Sequence, residues 1–358
     1  MKALAIGDFF IPTEFMIKTF DKIKINLSEV ITAEYTSKNR TDFRNKIRNV
    51  EQYGPEAEPT PEGLENIIKD IDILAIHQCP IPKKILDVAK NLKIIISARG
   101  GVENIDIETA NKKNILLIST PNHNAEATAE YTIGLLLAET RNIARSYHAL
   151  KLGEWREYYP NTEHIPELNS MKIGLLGFGN VARLVAKKLQ CFQAEVLVYD
   201  PFVSSEFIKK YNCTPINFNS IFKESDVISV HVRLSNQTEK LIGEREFKMM
   251  KKSTYFINTG RAAIIDMSAL YKALKERWIR GAAIDVYITE PVPMDEPLLS
   301  LDNITFTNHR AGDTLDSYIK APEIMSEQLA KLFKKIKPYY LINPEVFENF
   351  HLTENNYL

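Results

Sequence analysis

Three side chains in the last third of the chain have the makings of an acid–base site. Arg261, Glu290 and His309 each come just after an apolar run with the length of a buried strand. The runs are Thr254–Asn258, Ala282–Val286 and Ile304–Thr307. Ligands bind beyond the carboxyl ends of strands in open parallel sheets, so the three should converge. Arginine offers a planar fork of donors that matches a carboxylate or a developing alkoxide. Histidine can deliver a proton near neutral pH and take it back in the reverse direction. A carboxylate beside the ring stabilises imidazolium and fixes its tautomer. The trio suits hydride transfer to a small 2-keto acid if a hydride carrier binds nearby. Spacing alone leaves open a surface role for Arg261, a plain turn at Glu290-Pro291 and a structural role for His309.

A carrier site is written into Met171–Pro201. Lys172–Leu176 is a short apolar run ending on Gly177. Gly177, Gly179 and Ala182 fill the small positions of a G-x-G-x-x-G/A turn. The first glycine permits a sharp turn, the second lets a pyrophosphate approach the main chain, and the third position need only be small. Val181, Val185, Leu189 and Phe192 then recur at helical spacing. The start of that helix favours an anion. A second strand, Val196–Tyr199, ends on Asp200, whose carboxylate can accept hydrogen bonds from an adenosine ribose. Asp200 repels a 2′-phosphate, and its next neighbours are Pro201 and Phe202 rather than an arginine. NAD is therefore expected over NADP.

These residues need a scaffold, and the chain alternates strand and helix on both sides of the glycine turn. Before it, strands are expected at Lys2–Ile6, Ile71–Ile76, Leu92–Ser97 and Ile115–Ile118. Helices are expected at Thr13–Phe20, Glu62–Lys69, Pro82–Lys90 and Asn104–Lys113, with Pro82 in a first turn. Val50–Pro61 reads as an exposed loop. A long helix should run from about Asn124 to His148, and an irregular aromatic stretch, Lys151–Pro166, comes after it. Beyond the turn, strands are also expected at Val227–Val232, Thr254–Asn258, Ala282–Val286 and Ile304–Thr307. Asp266–Trp278 and Thr314–Ile336 read as helices. Continuous apolar strands alternating with helices imply parallel sheets covered on both faces.

Composition narrows the class. The 358 residues suffice for two domains. Forty-five Lys and Arg balance 46 Asp and Glu, which offers no excess of charge to nucleic acid or an anionic membrane. Three cysteines, Cys79, Cys191 and Cys213, form neither a disulfide framework nor a metal-ligand spacing. No apolar run approaches the roughly 20 residues of a membrane span. The opening MKALAIGDFF reads as a strand rather than a signal peptide, so a cytoplasmic enzyme is expected. His231 sits in a strand as core or cofactor lining. His77, His123, His148, His164 and His351 have no assignable partner.

The chain resembles the NAD-dependent D-isomer-specific 2-hydroxyacid dehydrogenases. The matching stretches are SARGGVENID, PNHNAEATAEYTIGLL, KIGLLGFGNVARLVAKKL, VYDP, HVRLSNQTEKLIGEREFKMMKKSTYFINTGR, GAAIDVYITEP and NHRAG. The resemblance implies an α/β chain of two doubly wound parallel-sheet domains. A Rossmann NAD-binding domain, residues 122–314, would be inserted into a smaller flavodoxin-like substrate domain, residues 1–121 plus 315–358, with a cleft closing on substrate. It implies that Arg261 binds substrate, that His309 is the acid/base and that Glu290 is its partner. Gly177, Gly179, Asn180, Val181, Asp200, Thr259, Gly260, Arg261, Asp285, His309 and Gly312 would line the NAD site. Arg99 and backbone N–H groups around Gly100 and Gly101 would hold the substrate. It further implies a homodimer, with the helix after Asn124 and the Lys151–Pro166 stretch as candidate contacts.

Departures from the family pattern refine this. Formate members carry glutamine where Glu290 stands, which points away from formate. The usual Ala-Arg-Gly-Gly is Gly260-Arg261-Ala262-Ala263, Asn308 replaces a proline, and Arg233 stands where proline is common. Phosphoglycerate members tend to place a basic side chain after the strand that here ends in His77-Gln78-Cys79; its absence points away from 3-phosphoglycerate, although Arg99 could serve a phosphate. The rival expectation is an NAD(H)-sensing regulatory binder of the corepressor branch, which can retain the same trio.

Overall fold

The computed structural model describes residues 1–23, 27–348 and 350. The chain divides into two compact units, Met1–Asn124 with Thr314–Leu358, and Ala125–Asp313.

In the first unit the strands are β1 (Lys2–Asp8), β2 (Glu29–Tyr35), β3 (Ile73–Ile76), β4 (Ile94–Ser97) and β5 (Leu116–Ser119). The helices before the second unit are α1 (Thr13–Met16), α2 (Arg40–Tyr53), α3 (Leu64–Ile67), α4 (Lys83–Val88) and α5 (Ile107–Lys112). The sheet order is β2-β1-β3-β4-β5, parallel throughout. This is the flavodoxin-like order, with its switch point between β1 and β3. Strands β3, β4 and β5 are buried at every position, as their unbroken apolar runs require.

Several expected boundaries move. The helix expected over Thr13–Phe20 is a single α-turn and then a 3-10 turn, Ile17–Phe20. Pro82 caps α4 rather than entering its first turn. The expected loop at Val50–Pro61 begins inside α2, whose last residue is Tyr53. Strand β2 and most of α2 were not expected at all. Of the fourteen residues of α2 only Phe43 and Val50 are buried; with Ile47 they recur at helical spacing in an otherwise polar run. Its N-terminus is nonetheless specified, because the Asn39 side chain accepts from the Asp42 N–H.

The second unit opens with α6 (Ala125–Thr140) and α7 (Ile143–Lys151). Its strands are β6 (Lys172–Leu176), β7 (Glu195–Tyr199), β8 (Thr214–Pro215), β9 (Val227–Val230), β10 (Tyr255–Asn258), β11 (Gly281–Ile284) and β12 (Ile304–Phe306). Between them lie α8 (Asn180–Cys191), α9 (Ser205–Lys209), α10 (Phe218–Glu224), α11 (Glu244–Met249) and α12 (Met267–Lys275). After it, α13 (Leu315–Phe333) and α14 (Pro344–Glu348) return to the first unit. Residues Ala321, Met325, Leu329 and Leu332 of α13 join the core of that unit. The second sheet is also parallel, ordered β12-β11-β10-β9-β6-β7-β8. Its β6 to β9 core has the 3-2-1-4 order of a dinucleotide-binding fold.

The single helix expected from Asn124 to His148 is two helices. Asn142 adopts a left-handed backbone, φ 56°, which ends α6 and starts α7 in a new direction. The break lets Arg145 fold back onto Glu139. Its guanidinium donates to both Glu139 carboxylate oxygens at 2.8 and 2.9 Å, and its Nε donates to the Asp302 carbonyl at 2.6 Å. Thr305 of β12 donates to the same carboxylate at 2.7 Å. Both members of the pair are buried. A Cβ at Gly281, the first residue of β11, would lie 2.1 Å from Glu139 Oε1, so the glycine makes room for the brace.

This brace ties α6 and α7 to the two strands that lead to Glu290 and His309. Arg145→Leu should cost about 3–5 kcal/mol, because it strands a buried carboxylate. Burial already pushes the Glu139 carboxyl up, with Arg145 and Thr305 pulling it back. The deficit should therefore shrink as pH falls and the stranded carboxyl protonates. Urea unfolding at several pH values measures this; a loss under about 1 kcal/mol at neutral pH would show the brace to be incidental.

Candidate active site

The three candidate residues emerge from three neighbouring strands at one level. Asn258 is paired with Ile284, and Ile284 with Phe306, so β10, β11 and β12 end side by side. Arg261 lies three residues beyond Asn258. The Asn258 side chain holds that turn, accepting from the Gly260 N–H at 2.9 Å and donating to the Arg261 carbonyl at 3.2 Å. The Arg261 guanidinium is exposed, and it forms no ion pair among the described residues. It donates to the Gly260 carbonyl at 2.9 Å.

His309 and Glu290 meet directly. Nδ1 lies 2.9 and 3.1 Å from the two Glu290 oxygens. Glu290 Oε1 also accepts from the Tyr287 N–H at 3.1 Å, which aims the carboxylate at the ring. The hydrogen bond that the ring donates to Glu290 raises the His309 pKa; burial opposes this, the charges of Glu290 and Asp285 add to it, and Arg261 pushes the other way. With Nδ1 on the carboxylate, Nε2 is the nitrogen left for a substrate. The imidazole is half-exposed, so a reactant can reach it.

The backbone of His309 is left-handed, φ 56°. Asp285 holds it there. Its carboxylate, fully buried, accepts from the Thr307 hydroxyl at 2.6 Å and from the Arg310 and Ala311 N–H groups at 2.9 and 2.8 Å. It thus clamps the loop on both sides of His309. At 0 % exposure Asp285 offers no surface to a ligand here; it holds the loop that does. Tyr287 adds a second tie, donating from its hydroxyl to the Thr307 carbonyl at 2.7 Å. Neither tie was signalled by spacing. Gly312 lies just past the clamp.

The glycine turn has the features a dinucleotide needs. Gly177 has φ 91°, and a Cβ there would lie 2.9 Å from the His231 backbone, so only glycine fits. At Gly179 an added Cβ would meet nothing within 4 Å: the space in front of the main chain is open. Helix α8 begins at Asn180 with no side-chain cap, which leaves the N–H groups of Asn180, Val181 and Ala182 for an anion. Asp200 is held by the N–H groups of Phe178 and Phe202 at 2.7 and 2.8 Å, one on each oxygen. Each oxygen keeps a lone pair for a ribose hydroxyl. Thr259 is buried, its hydroxyl 2.8 Å from that of Thr132 on α6. NAD fits this set: the start of α8 and Gly179 would hold the pyrophosphate, and Asp200 would take the adenosine ribose.

In the first unit, Gly100 and Gly101 come directly after β4 and Arg99. Neither N–H donates to a protein acceptor among the described residues. Arg99 is buried, with Nη2 on Glu51 at 2.7 Å and on Glu103 at 3.2 Å. A substrate anion would have to compete with both carboxylates for it.

The other histidines separate. His77, without an expected partner, forms a buried pair with Asp8, Nδ1 to Oδ2 2.9 Å. Burial depresses both His123 and His231 to about 4, so each is neutral at physiological pH. His231 Nε2 lies 2.9 Å from the Ser229 hydroxyl. His351 lies outside the described residues.

Fold and site together define a nicotinamide-dependent dehydrogenase. The family model for the D-isomer specific 2-hydroxyacid dehydrogenase NAD binding domain matches residues 133–311. The chain is 36% identical over 295 residues to glyoxylate reductase from Thermofilum pendens, covering 81% of this chain and 86% of that one. It is 35% identical over 293 residues to hydroxypyruvate reductase from Thermotoga maritima, covering 78% of this chain and 92% of that one. With D-3-phosphoglycerate dehydrogenase from Methanocaldococcus jannaschii the identity is 34% over 305 residues, covering 79% of this chain but only 57% of the longer relative. Among solved structures, the NAD-complexed D-isomer specific 2-hydroxyacid dehydrogenase of Lactobacillus delbrueckii ssp. bulgaricus superposes with a TM-score of 0.74 at 21% identity, covering 96% of this chain and 100% of that one. The chain belongs to the D-isomer-specific 2-hydroxyacid dehydrogenase family, as an NAD-dependent oxidoreductase. No helix among the described residues is long and apolar enough to cross a membrane.

Asp200 should set the coenzyme preference. Asp200→Asn removes the charge that repels a 2′-phosphate and should narrow the gap between NADH and NADPH by roughly tenfold in kcat/KM. A wild-type enzyme that prefers NADPH would refute the assignment.

Proposed function

We propose that the protein interconverts a small D-2-hydroxy acid and its 2-keto acid, with His309 as the acid/base, Glu290 as its partner and Arg261 gripping the substrate. The carrying observation is the Glu290–His309 pair, which commits Nδ1 and frees Nε2. NADH bound at the glycine turn would supply the hydride in reduction, and NAD+ there would take it in oxidation. In reduction, Nε2 of His309 gives its proton to the carbonyl oxygen as the carbonyl carbon gains hydride. In oxidation, the neutral ring takes that proton back from the hydroxyl. Arg261 offers two N–H donors to the carboxylate or the nascent alkoxide. The undirected N–H groups of Gly100 and Gly101 suit the carboxylate.

Glyoxylate and hydroxypyruvate are the first substrates to try. The reductases named for them match this chain over most of their length, whereas the phosphoglycerate relative extends well beyond it. NADH consumption with glyoxylate, hydroxypyruvate, pyruvate and 3-phosphohydroxypyruvate tests the reading. No turnover with any of them would favour a sensing role instead.

The mechanism has a pH signature. Reduction requires protonated His309, so it is full below the raised pKa and is lost as pH rises through it. Glu290→Gln keeps an acceptor for the ring but removes the carboxylate charge that raises the pKa. The alkaline limb of the reduction profile and the acid limb of the oxidation profile should both move to lower pH. His309→Ala should depress both directions by roughly 10² to 10⁴. Limbs that stay in place while activity falls would reduce Glu290 to a structural contact.

The reading includes a homodimer. On α7, Ile143, Tyr147 and Leu150 recur along one helical face, and all three are exposed. Leu152, Trp155 and Tyr158 continue the exposed apolar surface. A second copy, related by a two-fold axis, would cover it. Tyr147→Glu with Leu150→Glu should shift the mass in light scattering from dimer to monomer. A wild-type monomer at micromolar concentration would end this proposal. The three cysteines are free thiols, in keeping with the reducing cytoplasm that completes the reading.

A further inference from the structure

Two buried polar atoms at the carboxyl end of the first sheet lack hydrogen-bond partners, and they belong to neighbouring strands. Oε1 of Gln78, just beyond β3, and Nη1 of Arg99, just beyond β4, are both closed to solvent and unbonded among the described residues. Buried polar groups are nearly always hydrogen-bonded, so each needs a reason. Ile76 pairs with Ser97 across β3 and β4, and the Ala98 N–H extends the ladder to the Ile76 carbonyl at 2.8 Å. Two residues further on, Gln78 is level with Arg99, about 4.8 Å across the sheet. Asn104, fully buried, fastens the two loops together. Its amide donates to the carbonyls on either side of Gln78, those of His77 and Cys79, at 3.1 and 2.9 Å.

The polarity of the Gln78 amide is set from Asp8. That buried carboxylate accepts from the Phe10 and Ile11 N–H groups on one oxygen and from the Gln78 N–H on the other. His77 Nδ1 lies 2.9 Å from the second oxygen, so the ring proton stays on Nδ1 and Nε2 keeps a lone pair. The Gln78 Nε2, 3.1 Å from that lone pair, donates to it. The amide is thereby turned so that Oε1 is an acceptor in want of a donor. Arg99 is the opposite case. Glu51 and Glu103 share its Nη2 at 2.7 and 3.2 Å, which neutralises the guanidinium and leaves Nη1 as a donor in want of an acceptor. A hydroxyl group meets both needs, because its oxygen accepts while its hydrogen donates. A phosphate brings acceptors only, and it would meet two carboxylates already holding the arginine. A methyl group would leave both atoms unpaired.

We propose that Gln78 and Arg99 read a hydroxyl on the third carbon of the substrate, so that the site selects 3-hydroxy-2-keto acids. The inference rests on the keto-acid reading above, in which the N–H groups of Gly100 and Gly101 take the substrate carboxylate. Those glycines follow directly on Arg99, and Gln78 stands one strand away, so a group one carbon beyond the carbonyl falls within reach of both side chains. Glyoxylate, with two carbons, has nothing to place there. The buried Asp8–His77 pair acquires a role in this arrangement: it is a positioning pair that fixes which face of the Gln78 amide meets the substrate.

Selectivity rather than activity tests this. Rates of NADH consumption give kcat/KM for hydroxypyruvate, pyruvate and 3-fluoropyruvate. Fluorine keeps the electron withdrawal of the hydroxyl and has no hydrogen to donate. Wild type should favour hydroxypyruvate over each of the other two by roughly 10² or more. Gln78→Met fills similar space without the acceptor, and it should cut the ratio of hydroxypyruvate to pyruvate by roughly tenfold or more. A general loss of activity cancels in that ratio, and the wild-type comparison stands even if the variant fails to fold. Two results would overturn the proposal while leaving the keto-acid reading in place. One is wild type that reduces pyruvate or 3-fluoropyruvate as well as it reduces hydroxypyruvate. The other is Gln78→Met with both rates lowered and the ratio unchanged, which marks Gln78 as structural. Wild type inert towards all three acids would remove the keto-acid reading, and this inference with it.

Discussion

The site hangs on one buried carboxylate. Asp285 follows directly on β11 with no solvent contact, and burying an ion costs several kcal/mol unless its lone pairs are used. Three donors from the next strand and its loop meet that need: the Thr307 hydroxyl and the Arg310 and Ala311 N–H groups. Satisfying the carboxylate thus folds residues 307–311 back over the end of β11. The left-handed backbone of His309 is a consequence. For a residue with a Cβ that conformation costs about 1–2 kcal/mol, which the flanking hydrogen bonds offset. Without the clamp, the ring would have no reason to stand beside Glu290.

The two acidic residues after β11 are alike in chemistry and opposite in setting. Asp285 is sealed and gives its oxygens to the neighbouring loop, so it fixes geometry. Glu290 is partly open and gives its oxygens to His309 and the Tyr287 N–H, so it tunes a pKa. A short stretch of loop is enough to separate the roles. The parallel sheet makes this arrangement compact. Because β10, β11 and β12 run in register, arginine, carboxylate and histidine emerge from adjacent strand ends about 5 Å apart, and no long loop has to search for its partner.

Much of this was legible in the sequence because it rests on local rules. Predominantly apolar runs in β3, β6 and β9 announce buried parallel strands, and the glycines announce the turn after β6. Arg261, Glu290 and His309 could be nominated from their places just beyond three apolar runs. The features that escaped depend on tertiary contact. The helix α2 carries a thin apolar stripe, Phe43, Ile47 and Val50, of which only two are buried, and the rest of its sequence is polar. The run from Asn124 to His148 has no proline at its break, which is carried by Asn142, one of the few residue types that tolerates positive φ. The pairing of His77 with Asp8 joins residues 69 apart, beyond the reach of any periodicity. The clamp on Asp285 was invisible for the same reason: most of its partners are backbone groups, which carry no sequence signal.

The departures from the family pattern acquire a physical sense from these clasps. A proline at 308 would stiffen the approach to the histidine by fixing one φ; with Asn308 that stiffness is absent, and the bonds from Asp285 to both flanks of His309 supply the hold. At β10 the Gly260-Arg261-Ala262-Ala263 turn is secured in the same manner. The Asn258 side chain, buried at the strand end, binds the Gly260 N–H and the Arg261 carbonyl. Asn258 and Asp285 thus play one part on neighbouring strands. Each is a buried polar residue at a carboxyl end whose hydrogen-bonding needs are met by the loop backbone that bears a reactive side chain. The cost of leaving such a group unpaired, about 1–3 kcal/mol for the amide and more for the carboxylate, penalises any loop conformation that withdraws from it. The geometry of Arg261 and His309 is therefore inherited from the sheet, and the exposed faces of both loops stay free to vary with the substrate.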